Sequence, residues 1–83
     1  MSNVEVEFYW RPGCGFCAAL DRPMSKSGFT IRKINIWEDP DGAARVREVA
    51  NGNETVPTVI VGSTAMVNPS FAEVEAAVKA ASA

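Results

Sequence analysis

The chain begins with a period-two run, Val4-Glu5-Val6-Glu7-Phe8-Tyr9-Trp10, which gives way to a helical period after Arg11-Pro12-Gly13. That switch constrains the fold more than any other feature. Alternating β-branched and aromatic residues specify a strand. A Pro-Gly pair ends it, and Phe16, Ala19, Leu20 and Met24 then fall near one helical face. Pro23 sits inside this stripe. Proline removes a backbone bond and clashes with the carbonyl four residues earlier, so a kink or break is expected near Arg22, with an end at Ser27-Gly28.

A second strand is expected over Phe29–Ile36, carrying Ile31, Ile34 and Ile36. Asp39-Pro40 reads as a helix N-cap followed by proline at the first helical position. Ala43, Val46, Val49 and Ala50 form that helix's stripe, closed by Asn51-Gly52. Thr58–Val61 and Thr64–Val67 flank Gly62-Ser63, a two-residue hairpin turn of the II′ kind. Ser70 and Glu73 make a capping box ahead of Phe71, Val74, Ala77, Val78 and Ala81. Strands joined by a helix run parallel with a right-handed crossover. The expected fold is therefore α/β: a mixed four-stranded sheet with about three helices on both faces. Glu5 and Glu7 conflict with an inner strand, so their face must be thinly covered or partly wet.

Size and charge narrow the function. With 83 residues there is room for one core, and residues 1–83 are read as a single domain. The net charge is −2 and no basic patch marks nucleic acid as a partner. No apolar run approaches the ~20 residues of a membrane span. Met1-Ser2-Asn3-Val4-Glu5 lacks the basic start and apolar core of a signal peptide, so a cytoplasmic location is expected. Nothing in the chain demands more than a monomer. With no histidine, His-based acid–base catalysis and His-metal sites are excluded. Cys14 and Cys17 are the two cysteines, too few to close a four-ligand structural zinc site. No bound metal or cofactor is expected.

The chemistry concentrates in Cys14-Gly15-Phe16-Cys17. A thiolate, not a thiol, is the nucleophile, and a free cysteine of pKa about 8.5 is only about 3% ionised at pH 7. Cys14 follows the Pro-Gly break and opens the helix, where unpaired N–H groups and the positive dipole end favour an anion. Arg11 places a positive charge nearby. Cys17 lies one turn in, with fewer free N–H groups, and is expected to be less exposed. Cys14 is thus read as nucleophile and Cys17 as resolving partner. Two bland readings compete: small buried hydrophobes, or half of a metal or cluster site bridging two chains. Thr55-Val56-Pro57-Thr58 places a proline just before a strand, either as a strand-edge turn or as a cis Val56–Pro57 bond. The cis form would turn the Val56 backbone groups outward to pair with a peptide-like thiol. Tyr9, Trp10 and Phe16 could form an apolar rim around the sulfur.

These pieces resemble the glutaredoxin family over about Val4 to Val78: Cys14-Gly15-Phe16-Cys17 after the first strand, Thr55-Val56-Pro57-Thr58 before the third, and the Gly62 hairpin leading to a capped last helix. Val49–Val59 and Asn68-Pro69-Ser70 are similar to the actinobacterial mycoredoxins within it. The resemblance implies a thioredoxin fold and thiol–disulfide exchange, with mycothiol as co-substrate and S-thiolated or disulfide-bearing client proteins as partners. Cys14 would be the nucleophile and Cys17 the second thiol. Val56 and Pro57, with the loop Asn68, Pro69 and Ser70, would face the substrate; a helix cap is the plain alternative for that loop. Arg11, by its charge, and Phe16, by its place in the rim, are read as substrate-binding beside them. Trp10-Arg11-Pro12-Gly13 departs from the mycoredoxin pattern. It resembles the lead-in of redoxins that donate electrons to ribonucleotide reductase and are reduced directly by thioredoxin reductase.

Overall fold

The computed structural model describes residues 4–82. Met1-Ser2-Asn3 of the N-terminal segment read above, and Ala83, lie outside the described residues. Seven elements follow in order: β1 (Glu5–Trp10), α1 (Gly15–Ser25), β2 (Thr30–Asn35), α2 (Pro40–Val49), β3 (Thr58–Val61), β4 (Thr64–Val67) and α3 (Phe71–Ser82). The sheet order is β2-β1-β3-β4. β1 pairs parallel with β2, in the register Glu7↔Arg32 and Tyr9↔Ile34, and antiparallel with β3. β3 and β4 form the antiparallel hairpin. This is the mixed four-stranded sheet expected from the element order, and it is the thioredoxin and glutaredoxin fold that the resemblance implies. Among the described residues no helix is long and apolar enough to cross a membrane.

The pleat of β1 divides the molecule. Val6 and Phe8 face a core shared with Cys17, Leu20 and Met24 of α1, Val59 and Val61 of β3, and Val74 of α3. Tyr9 faces the opposite side, with Ile34, Ile36, Ile60 and the α2 residues Ala43 and Val46. Burying each such aliphatic or aromatic side chain contributes about 1.5–3 kcal/mol. Two helices cover the first face and one covers the second. The acidic pair sits at the uncovered end of the second face. Arg32 reaches both carboxylates, Glu5 at 3.5 Å and Glu7 at 3.4 Å. Glu7 also accepts the Tyr9 hydroxyl proton at 2.7 Å.

Helix α1 differs from its expected course. It is not broken near Arg22; it continues through Pro23 to Ser25, with Lys26 as its C-cap. Pro23 falls in the last turn, where little helix remains to disrupt, and the buried positions Cys17, Leu20 and Met24 keep one stripe across it. Helix α2 starts where Asp39 accepts the Gly42 N–H at 3.0 Å, with Pro40 at its first turn. Gly42 is needed for close packing, since a Cβ there would lie 2.6 Å from the Ile34 Cγ2. Gly62 opens the hairpin turn at φ +60° while Ser63 keeps a negative φ, the sign pattern of a II′ turn.

Candidate active site

The strand–loop–helix junction presents the two sulfurs differently. Cys14 is the N-cap of α1, with extended backbone at φ −88° and ψ 105°. Its Sγ accepts the Cys17 backbone N–H at 3.1 Å, one of the donors that a helix start leaves unpaired. After reduction, a thiolate at this position would face that N–H and the positive end of the helix dipole. Cys14 is half-buried, whereas Cys17 is 3% exposed and belongs to the core of the first face. The two are joined as a disulfide, with Cα atoms 5.2 Å apart.

A second loop closes on the sulfur from the sheet side. The Val56–Pro57 peptide is cis. The Val56 carbonyl oxygen lies 3.8 Å from the Cys14 Sγ, within reach of an S–H donor in the reduced form. Among the described residues the Val56 N–H makes no backbone bond, so it is open to an incoming chain. Asn68, at φ +52°, donates its N–H to the Pro57 carbonyl at 2.8 Å and ties the loop before α3 to this turn. Ser70 completes the capping box: its N–H donates to Glu73 Oε1 at 2.9 Å and its Oγ accepts the Glu73 N–H at 3.2 Å.

Two clefts flank α1. The larger, about 570 Å³, is bounded by Phe8 and Trp10, the Arg11–Gly13 loop, both cysteines, and the charged pair Asp21 and Lys33. The smaller, about 220 Å³, runs between Phe16 and Asn68-Pro69-Ser70. The expected site residues therefore divide. Arg11 shares the larger cleft with the cysteines; Phe16 and the three loop residues line the smaller; Val56 and Pro57 lie behind Cys14. Pro69 is buried, while Asn68 and Ser70 are exposed.

The aromatic rim needs correction. Tyr9 is absent from it because the pleat turns its ring to the α2 face. Phe16 is 73% exposed, and Trp37 is 64% exposed with the Arg11 guanidinium 5.6 Å from its ring centroid. Trp37 lies in the turn after β2, where a lone aromatic gives no sign in the sequence of which loop it meets. Asp21 and Lys33 also escaped notice. Their signals were a lysine on the same strand face as Ile31 and a carboxylate four residues after Cys17.

The glutaredoxin family model matches residues 6–66. Among solved structures, the chain is similar to the glutaredoxin-like protein NrdH-redoxin from Escherichia coli. They are 31% identical over 81% of this chain and 83% of that one, with a TM-score of 0.65. Glutaredoxin from Brucella melitensis is 28% identical over 99% of this chain and 89% of that one, with a TM-score of 0.70. Glutaredoxin from Archaeoglobus fulgidus, 18% identical over 92% and 87% of the respective chains at a TM-score of 0.72, adds agreement in fold. No curated protein matches the chain.

Proposed function

Because the chain belongs to the glutaredoxin family of thiol–disulfide oxidoreductases, we propose that it reduces mixed disulfides between client proteins and mycothiol. The observation that carries this reading is the placement of Cys14, a reachable sulfur held by a helix-start N–H, with Cys17 buried behind it. The Cys14 thiolate attacks the mycothiol sulfur of an S-mycothiolated protein. The client thiolate leaves and takes up a proton, and Cys14 is left bonded to mycothiol. A second mycothiol attacks that bond, frees Cys14 and forms mycothiol disulfide, which an NADPH-dependent reductase returns to the thiol. Cys17 is the second thiol, able to displace mycothiol by closing onto Cys14. Phe16, Asn68, Pro69 and Ser70 flank the mycothiol, the Val56–Pro57 turn pairs with its amide backbone, and Arg11 borders the opposite side. The domain, 1–83, acts as a monomer in the cytoplasm.

The test is NADPH oxidation with an S-mycothiolated substrate, mycothiol and its reductase. Cys14→Ser is expected to abolish turnover, and Cys17→Ser to retain a substantial fraction. Equal loss in both variants would replace the one-cysteine route with a two-cysteine one.

A second reading has its own support. The Escherichia coli NrdH-redoxin, 31% identical, is described as having a thioredoxin-like activity profile, and Trp10-Arg11-Pro12-Gly13 departs from the mycoredoxin lead-in. On this reading thioredoxin reductase reduces the disulfide directly, and electrons pass to ribonucleotide reductase. Substituting thioredoxin reductase for mycothiol and its reductase in the assay separates the two. A reduction potential of about −200 to −230 mV fits the first, and one near about −270 mV the second.

A further inference from the structure

Cys17 cannot close onto Cys14 until it loses a proton, because only the thiolate attacks. Cys17 is 3% exposed and packed among apolar side chains. The chain has no histidine to take that proton, and Tyr9 lies across the sheet. The larger cleft reaches Cys17, and one carboxylate lines it, that of Asp21. Asp21 follows Cys17 by four residues on α1, a spacing that stacks two side chains on one helix face with Cβ atoms about 5–6 Å apart. Lys33 Nζ at 2.8 Å and Ser25 Oγ at 3.1 Å both contact the same oxygen, Oδ1. Both contacts fall on Oδ1, and the Asp21 side chain is 38% exposed, so water in the cleft can reach the carboxylate.

We propose that Asp21 accepts the Cys17 proton through cleft water, and that Lys33 is the positioning residue that holds the carboxylate in place. This rests on the reading of Cys17 as the thiol that resolves a Cys14 mixed disulfide. In that step the Cys17 S–H proton passes through water to Asp21, and the Cys17 thiolate attacks the Cys14 sulfur. The Cys14–Cys17 bond forms, the bond from Cys14 to the small thiol breaks, and the small thiol leaves with the electron pair. The proton then returns to solvent or to the leaving sulfur. The charged groups facing this cleft are Arg11 from the loop, Asp21 from α1 and Lys33 from β2. The core around Cys17 is closed by Val6 and Phe8 of β1, Val59 and Val61 of β3, and Val74 of α3. Of the three charged groups, the Asp21 carboxylate is the one that can accept the proton.

The experiment loads the full chain at Cys14 with 5-thio-2-nitrobenzoate and follows release of the coloured thiol by stopped flow, from about pH 5.5 to about pH 9.5. Asp21→Asn is expected to slow release about tenfold near pH 6.5, with the gap closing above about pH 9, where hydroxide removes the proton directly. The loss is set below that of a general base in direct contact because water carries the proton. Asp21→Glu should restore much of the rate near pH 6.5. Loading of Cys14 by the parent disulfide should change less than about twofold. An unchanged release profile in Asp21→Asn, or a slowing equal at every pH, overturns the proposal. Lys33→Gln, which keeps the carboxylate, should lose about threefold or less; a deeper loss than in Asp21→Asn assigns the proton to Lys33 and also overturns it. Failure of the underlying reading has a separate signature: release from Cys17→Ser as fast as from the unsubstituted chain.

Discussion

The two faces of the sheet are built from the same four strands but to different standards of dryness. The α1/α3 face packs Val6, Phe8, Met24, Val59 and Val74 to 2% exposure or less and holds Cys17 among them. On the other face one helix, α2, covers the sheet, and beyond its reach Glu5, Glu7 and Arg32 meet solvent. The lesson concerns where reactivity is placed. Rigid two-helix packing holds the buried sulfur one turn behind the reachable one. The single-helix face carries no redox group and tolerates charge on alternate residues of an inner strand.

Breaking the first face should cost most. Phe8→Ala removes a ring from the closed core and is expected to destabilise by about 3–5 kcal/mol, read by urea denaturation. A loss under about 1 kcal/mol would mean that this face is no tighter than the other. On the α2 face, Gly42→Ala drives a Cβ to 2.6 Å from Ile34, and overpacking of that sort costs about 1–3 kcal/mol. Double substitution with Ile34→Leu, which lacks the Cγ2 methyl at the clash, should recover part of it. A smaller effect tests Tyr9. Burial first, then the hydrogen bond and the charge of Glu7, push its phenol up to about 12. The folded value lies above the unfolded one of about 10, so the neutral phenol's contribution is whole below pH about 10 and is lost as pH rises through about 12. Denaturation midpoints should fall across that window, and Tyr9→Phe should flatten the fall. Arg32→Ala comes last. Its ion pairs are largely exposed, so the expected change is below about 1 kcal/mol and shrinks with added salt.

Most elements were legible in the sequence because their signals are local. The Asp39 cap, the Ser70–Glu73 box and the Gly62 turn each act within four residues, and each appears where the residues predict it. Pro23 misled because its penalty depends on how much helix follows, and α1 ends two residues later. Tyr9 was misplaced in the rim because an aromatic at a strand end gives no sign of its face until the register with β2 and β3 is known. For the site, the Cys14 cap was readable from Pro12-Gly13-Cys14, whereas the Asp21–Lys33 pair joins a helix to a strand and needed the assembled sheet.

By itself, the order of residues determined a strand, a break and a helix opening at Cys14, with a second sulfur one turn on. Backbone donors at a helix start and side-chain periods are short-range properties, so they survive without a fold. Tertiary structure alone decided that Val56–Pro57 would be cis and 3.8 Å behind Cys14, that Arg32 would reach both Glu5 and Glu7, and that Asp21 and Lys33 would share a cleft with Cys17. Each of these joins segments far apart along the chain or lying on different elements. Their closure is set by sheet register and helix packing, which no local pattern specifies.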